Sequence, residues 1–236
     1  MPVSKPKNPP PPKRNDVQRQ HILDAASLLF IEHGFGGTSF NDIADAVGVT
    51  RTALYYYFRS KEAILEALTE GVTEEASKLA QTVSKRQELP PEEALRQLVL
   101  QHANLILSNA VQFRVVERSE SSLPEAHRAV AMQARRDVLD HFVHVIRRGI
   151  DGGQFRVVDP RLAAFSIIGM CNWGAWWFDP KGEMSRGDVT TFLVDFALRG
   201  LRPTPGGEGP AATAHDALQQ IKESLAVLEA RLSAGR

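Results

Sequence analysis

Residues 38–58 read TSFNDIADAVGVTRTALYYYF and predict two short helices joined by a tight turn. Ser39 is a good N-cap for the first helix, and Asp42, three positions later, can complete a capping box. Gly48 adopts positive φ at low cost, so it ends that helix and turns the chain. Thr50 can then cap the second helix. This order of signals is typical of a helix-turn-helix, in which the second helix keeps one face free.

The second helix is predicted to have two chemically different faces. Leu54, Tyr57 and Phe58 fall at positions i, i+3 and i+4 and are expected to face inward. The outward face then carries Arg51, Thr52, Tyr55 and Tyr56. Solvated faces usually carry lysine and glutamate, whereas arginine can bind guanine bidentately and hydroxyl groups can reach phosphates. An ordinary pair of core helices would also fit the apolar spacing, but the outward face favours a surface for double-stranded DNA.

Two stretches resemble the TetR family of bacterial transcriptional regulators. Residues 49–65, VTRTALYYYFRSKEAIL, look like the end of the family's recognition helix and the beginning of its next helix. Residues 22–35, ILDAASLLFIEHGF, are similar to the family's first helix. The resemblance is specific over about residues 17–65 and much weaker beyond them. Tyr57 departs from the pattern, because the family often has histidine there, which affects which hydroxyl groups would touch phosphate.

The predicted fold is all-α. A three-helix, helix-turn-helix DNA-binding domain is expected at residues 16–60, and a helical domain for ligand binding and dimerisation at residues 61–202. Every strong pattern beyond residue 90 is helical, and two successive apolar helices near the C-terminus suit a symmetric interface. The resemblance implies a homodimer, because a dimer places two reading heads on half-sites about 34–36 Å apart.

The predicted DNA contacts come from the helix-turn-helix and the start of the following helix. The outward face is expected to meet bases or phosphates, and polar or small residues around it are expected to support contacts to the DNA backbone. The full set is Ser39, Asn41, Thr50, Arg51, Thr52, Ala53, Tyr55, Tyr56, Tyr57 and Lys61.

The charge distribution agrees with an N-terminal DNA-binding part. The chain carries 28 basic and 28 acidic residues, so its formal net charge is zero. Residues 1–61 nevertheless carry eight basic and five acidic residues, a net charge of +3, and the remainder carries −3. This asymmetry is modest and has the sign expected for binding to nucleic acid.

Composition predicts a cytoplasmic protein without a membrane span. No apolar run approaches the roughly 20 residues needed to cross a bilayer, and the N-terminus lacks a hydrophobic signal segment. Cys171 is the only cysteine, which excludes an internal disulfide and fits a reducing compartment. Since it lies in an apolar run, it is expected to be a small core residue.

No pattern predicts an enzyme, a metal site or a cofactor. The chain has no glycine-rich phosphate loop after a strand and no nucleophile motif. His141 and His144 are three residues apart on one predicted helix, but no cysteine or acidic residue completes a clear set of metal ligands.

Residues 173–178, WGAWWF, contain all three tryptophans and have two interpretations. They can serve core and dimer packing, or they can help to line an apolar ligand cavity. The stretch also resembles a branch of the TetR family associated with lipid and acyl-coenzyme-A metabolism, which implies a small hydrophobic effector such as an acyl-CoA or a related acid. Arg114 and Arg118 could meet its anionic head group, or could form a solvated charge cluster. The predicted ligand residues are Phe113, Arg114, Glu117, Arg118, Phe142, Phe165, Met170, Trp173, Trp176 and Trp177.

Both ends of the chain extend beyond this core. Residues 1–15 are basic and proline-rich, and are expected to form a disordered tail that either has no role or touches the DNA. Residues 203–213 are predicted to be a linker, followed by a C-terminal helix at residues 214–236 with a short leucine-rich seam. That helix could pair with its dimer mate or pack on its own subunit. An alternative function is a DNA-binding regulator controlled by a protein partner that docks on this helix.

Overall fold

The computed structural model describes residues 14–203, which form nine α-helices and one short 3-10 helix and contain no β-strand. The α-helices are α1 (Arg14–Gly37), α2 (Phe40–Val47), α3 (Arg51–Tyr57), α4 (Lys61–Ser84), α5 (Pro91–Ser108), α6 (Ala110–Ser119), α7 (Glu125–Asp151), α8 (Pro160–Trp177) and α9 (Arg186–Leu201). The 3-10 helix, Glu120–Ser122, lies between α6 and α7. The all-α prediction is confirmed. Residues 1–13 of the predicted tail, the linker from residue 204 and the predicted C-terminal helix lie outside the described residues.

The described residues fall into two compact units. Unit 1 comprises residues 14–78, 105–136 and 173–178. Unit 2 comprises residues 79–104, 137–172 and 179–203. Helices α4, α5, α7 and α8 each have residues in both units.

Helices α2 and α3 begin at the predicted caps. The Ser39 hydroxyl oxygen accepts a hydrogen bond from the Asp42 N–H at 3.2 Å, and Asp42 Oδ2 accepts one from the Ser39 N–H at 2.7 Å. Gly48 follows α2 with φ of 74°, in the left-handed region that glycine adopts without a Cβ penalty. The Thr50 hydroxyl then accepts from the Ala53 N–H at 3.1 Å and caps α3. These local predictions are confirmed.

Helix α1 begins earlier than the sequence pattern indicated and is interrupted near its end. It starts at Arg14, so residues 14 and 15, which were predicted to belong to the disordered tail, are helical. Gly34 leaves helical geometry with φ of 75°, which interrupts the helix at this glycine. The Thr38 hydroxyl donates to the carbonyl of Gly34 at 2.9 Å, so a side chain satisfies a carbonyl at this break.

The core of unit 1 joins the first four helices to α6. Ile22, Ile43, Leu54 and Leu65, from α1, α2, α3 and α4, are all fully buried. Side chains of α6 and of the ends of α5 and α8 pack into the same cluster, namely Ile106, Phe113, Val115, Val116 and Ala175. The helix-turn-helix therefore shares one continuous core with α6.

The buried side chains of unit 2 come from α4, α5, α7, α8 and α9, and from Phe155 in the loop between α7 and α8. Phe142 of α7 is completely buried, and Cys171 of α8 is buried as the sequence predicted. Burial raises the pKa of the Cys171 thiol to about 12, so the thiol stays protonated at neutral pH and behaves as a small apolar group.

Gly149 of α7 lies where no larger residue fits. A Cβ at this position would lie 2.0 Å from the Phe155 ring, which is itself buried. We expect Gly149→Ala to destabilise the protein by about 1–3 kcal/mol, because the ring must shift inside a packed core. Gly71→Ala is the matched control, since its Cβ would meet open space on a helix and should add up to about 1 kcal/mol of stability. Urea unfolding measures both, and equal stability of the two variants would contradict the packing.

His102 of α5 gives unit 2 a pH-dependent stability. Its Nε2 lies 2.9 Å from Asn172 Oδ1, and because that oxygen only accepts, Nε2 carries the proton. Burial lowers the pKa of His102, and the Asn172 bond offsets this only in part. Below about pH 6.5 this histidine is therefore protonated in the unfolded chain but stays neutral in the folded chain. The free energy of unfolding consequently falls as the pH falls.

The test is urea unfolding of the parent and of His102→Gln at pH 7.5 and pH 5. We expect the parent to lose up to about 1.4 kcal/mol per pH unit through this one group. A glutamine side chain at this position could still donate to Asn172 but does not titrate, so the variant should lose less. The slope left in the variant includes His141, whose pKa burial also lowers. The same pH dependence in both proteins would remove His102 as its source.

Candidate nucleic-acid interface

Helix α3 buries one side and leaves the other bare. Leu54 is fully buried, whereas Arg51, Thr52, Tyr55 and Tyr56 are exposed, the last with 73% of its surface accessible. The predicted orientation of this helix is confirmed. A helix with this bare polar and aromatic face has the shape that enters a DNA major groove.

Arg51 is held in position by Tyr55, one turn further along α3. Its Nη2 donates to the Tyr55 hydroxyl at 3.1 Å, and its guanidinium carbon lies 5.5 Å from the centre of the Tyr55 ring. The Tyr55 ring in turn packs against Phe40 of α2, with ring centroids 4.8 Å apart. The arginine is thus oriented on the outer surface before any partner arrives.

Asn15, at the start of α1, organises the other two tyrosines. Its Nδ2 donates to the Tyr56 hydroxyl, and its Oδ1 accepts from the Tyr57 hydroxyl, both at 3.4 Å. The Tyr56 and Tyr57 rings meet edge to face at 5.1 Å. Asn15 was missed from sequence because it lies more than 40 residues away from both tyrosines. No local pattern connects them.

The predicted supporting residues flank this face. Ser39 and Asn41 are exposed at the start of α2, Thr50 is exposed as the cap of α3, and Ala53 is half-buried. Two hydrogen bonds from Ser39 lower the pKa of Asp42, and the bond from the backbone N–H has a larger effect than the bond from the hydroxyl. The capping carboxylate therefore stays ionised. The DNA contacts of these residues stay predictions.

Lys61, predicted to touch phosphate, is engaged by its own chain. Its ammonium nitrogen donates to the carbonyls of Phe35 at 2.7 Å and Thr38 at 2.8 Å. It also lies 4.6 Å from the centre of the Phe35 ring. These contacts hold the start of α4 against the end of α1. The contact of Lys61 with a DNA phosphate stays a prediction.

The ligand candidates of unit 1 lie on α6 and at the end of α8. Phe113 is buried in the shared core, and Arg114 is half-buried. Glu117 lies 3.4 Å from Arg135, and the Arg118 guanidinium lies 5.1 Å from the centre of the Trp176 ring. Trp173 and Trp177 are exposed.

The ligand candidates of unit 2 differ in burial. Phe142 is completely buried beside His102, while Phe165 is more than half exposed. Met170 is half-buried at a groove of about 280 Å³ between α8 and α9. The apolar side chains that line this groove are Val158, Leu162, Ala163, Ile167, Met170, Phe196, Ala197 and Leu201.

Helices α8 and α9 each leave large apolar side chains bare. Leu162, Phe165, Phe192 and Phe196 are all more than half exposed. The rings of Phe192 and Phe196 stack with centroids 6.0 Å apart. We call these four side chains the apolar face of unit 2. Large exposed apolar patches are typical of interaction surfaces.

None of the helices in residues 14–203 combines the length and the apolar character needed to cross a membrane. Within the same range, no three histidine, cysteine or acidic side chains are grouped so that they could hold a metal ion. His141 instead lies with its Nδ1 2.8 Å from the Ser84 hydroxyl.

Two family models match the chain. The model described as bacterial regulatory proteins of the tetR family matches residues 22–68, which contain α2 and α3. The model described as the tetracyclin repressor-like C-terminal domain matches residues 88–201.

This chain is similar to several transcriptional regulators over most of their length. The crystal structure of PfmR, a TetR family transcriptional regulator from Thermus thermophilus, is 32% identical, with a TM-score of 0.69 over 77% of this chain and 99% of that one. The repressor KstR2 of Rhodococcus jostii (strain RHA1) is 26% identical over 218 residues, or 81% of this chain and 97% of that protein. The structure of AibR with isovaleryl coenzyme A and operator DNA shares the fold, at 24% identity and a TM-score of 0.64 over 76% of this chain and 97% of that one.

Proposed function

Because this chain belongs to the TetR family of transcriptional regulators, we propose that it is a repressor that a small hydrophobic effector releases from its operator. DNA binding would use residues 16–60, and effector binding and dimerisation would use residues 61–202. The observation that carries the proposal is the bare face of α3, whose opposite side is locked into the core of unit 1.

The α3 face supplies both kinds of DNA contact. Arg51, oriented by Tyr55, would bond the edge of a guanine, because a guanidinium fork matches its two acceptors. Thr52 and Tyr56 would reach bases or phosphates, and Ser39, Asn41, Thr50, Ala53, Tyr57 and Lys61 would support the backbone contacts. The hydroxyl groups of Ser39, Thr50 and Tyr57 suit contacts to phosphates. Such contacts position a protein on DNA but do not read its sequence.

The apolar face of unit 2 supports a homodimer. Burying the four large side chains would recover roughly 25 cal/mol for each Å² removed from water. A second copy of the chain offers the same face, and a symmetric pair closes without leaving it exposed. Such a dimer would carry two copies of α3 and could occupy two half-sites.

The direction of regulation and the class of effector rest on relatives. KstR2 is named a repressor, and AibR is described in complex with isovaleryl coenzyme A and operator DNA. Since the ligand of AibR is an acyl-CoA, we propose an acyl-CoA or a related hydrophobic acid as the effector of this chain.

Contacts inside unit 1 offer a route from effector to DNA. Phe113 of α6 packs in the same core as Leu54 of α3. The Gln112 side chain of α6 also donates to Asp24 of α1 at 3.0 Å. An effector that shifts α6 would therefore disturb the support of α3, and the two binding free energies would be coupled.

The test is a gel shift on the DNA upstream of the protein's own gene, with and without long-chain acyl-CoA. We expect a shifted band that specific competitor removes and that effector abolishes. Native mass spectrometry of the purified protein should then show a dimer with a copurifying small molecule. A protein that binds neither this DNA nor any genomic fragment would contradict the proposal, and a copurifying protein partner would favour the alternative regulator.

A further inference from the structure

Helix α6 carries two arginines that no acidic side chain of the described residues neutralises. Arg114 and Arg118 are four residues apart, so they lie one turn apart on the same side of the helix. Arg114 is half-buried, and its Nε is covered without a hydrogen-bond partner in the part of the chain that the structure describes. A covered polar atom without a partner is uncommon in native proteins, and on a charged group it is costly.

The nearby acidic side chains are engaged elsewhere. Glu117 Oε1 lies 3.4 Å from Arg135, and Glu120 also pairs with Arg135. Arg135 of α7 therefore pairs with both of these carboxylates. Two like charges one helical turn apart repel each other. The arrangement therefore leaves positive charge at Arg114 and Arg118 without compensation from the described residues of unit 1.

Arg118 lies against the aromatic ring of Trp176, at the end of α8. Its guanidinium carbon lies 5.1 Å from the centre of the Trp176 ring, a distance at which the ring attracts the cation. Trp176 in turn lies 6.4 Å from Trp173, measured between ring centroids. A cationic group beside an apolar aromatic surface suits an amphipathic molecule with a negative head.

We propose that Arg114 and Arg118 together bind the anionic group of the effector, a carboxylate or a phosphate. The Nε of Arg114, together with a terminal nitrogen, forms the edge of the guanidinium fork that accepts such a group bidentately. The anion would satisfy the covered Nε and remove the repulsion between the two arginines. This inference rests on the proposed function, in which an effector binds the protein.

The experiment compares three ten-carbon probes that differ in the head group: decanoic acid, decanoyl-CoA and 1-decanol. Calorimetric titration of the full-length protein should show that at least one of the anions binds about tenfold or more tightly than the alcohol. Preference for the free acid would assign the site to a carboxylate, and preference for the CoA ester would assign it to phosphate. A parent protein that binds decanol as tightly as both anions, or binds none of the three, would overturn the inference.

The variants Arg114→Gln and Arg118→Gln locate the effect. Each should lose about tenfold or more in affinity for the preferred anion, with little change for decanol. Arg114→Lys keeps the charge but lacks the fork, so it should fall between the parent and Arg114→Gln. Arg136→Gln is the matched control, because Arg136 is an exposed arginine of unit 1 on α7, and it should bind every probe as the parent does. Unchanged affinity for the anion in both glutamine variants would refute the site.

Operator binding separates failure of this inference from failure of the proposed function. Without a probe, Arg136→Gln should bind the upstream DNA as tightly as the parent, and circular dichroism should show that Arg114→Gln keeps the helical content of the parent. If the anion releases the parent and Arg114→Gln equally well, the anion site is wrong while the regulator proposal survives. If the parent itself binds no DNA, the proposed function fails.

Discussion

Arg51→Ala should lower affinity for the operator by about 1–3 kcal/mol in each half-site, and by about twice that in a dimer with two independent half-sites. The variant should lose affinity for the operator but little affinity for scrambled DNA, because an arginine that bonds a specific guanine contributes little to the binding of other sequences. Fluorescence anisotropy with labelled operator and labelled scrambled duplex, at one fixed salt concentration, measures both affinities. The ratio of the two should approach one in the variant.

Two controls keep this prediction specific. Tyr55→Phe removes only the hydroxyl that accepts from Arg51 and leaves its ring to pack on Phe40, so it should lose about 0.5–1.5 kcal/mol per half-site. Arg136→Ala removes an exposed positive charge on α7 and should keep the selectivity of the parent. An Arg51→Ala protein with parental selectivity would take base reading away from Arg51.

Replacing both Phe165 and Phe192 by aspartate should dissociate the proposed homodimer. Four carboxylates would enter the interface, two from each copy, and the desolvation of unpaired charges would oppose association. A monomer carries one α3 helix, so operator affinity should fall by about 10²–10⁴-fold with the loss of simultaneous binding to two half-sites. Sedimentation velocity reports the oligomeric state, and anisotropy reports the affinity.

Val157→Asp is the control for this prediction. Val157 is 75% exposed in unit 2 but lies between α7 and α8, outside the apolar face. The variant should remain dimeric and bind the operator as the parent does. A double aspartate variant that stays dimeric would place the interface elsewhere on the chain.

The helix-turn-helix could be predicted from sequence because its signals are local. Ser39 and Thr50 cap helices through bonds that span three residues, and Gly48 needs only its own φ. The alternation of Leu54 and Phe58 with Tyr55 and Tyr56 fixes which side of α3 is buried. Such features are set by residue type and spacing, both of which are visible in the chain.

The tertiary partners of these residues could not be predicted in the same way. Lys61 bonds carbonyls 23 and 26 residues earlier, and Asn15 meets tyrosines 41 and 42 residues later. Both contacts depend on how whole helices pack. The aromatic residues of α8 pose the same problem, because an apolar helix gives no sign of which side a second copy, a ligand or the core will cover. Trp173 is 65% exposed, whereas Ala175, two positions on, is buried.

Photo-crosslinking from α3 to DNA tests the central claim most directly. A benzophenone amino acid in place of Tyr56 should crosslink to operator duplex upon irradiation, and the same group in place of Val157 should not. Both variants must first shift the operator as the parent does, so that only the position of the probe differs. Crosslinking from position 56 alone is the predicted result. A DNA-bound protein that crosslinks from position 157 but not from position 56 would show that another surface meets the duplex.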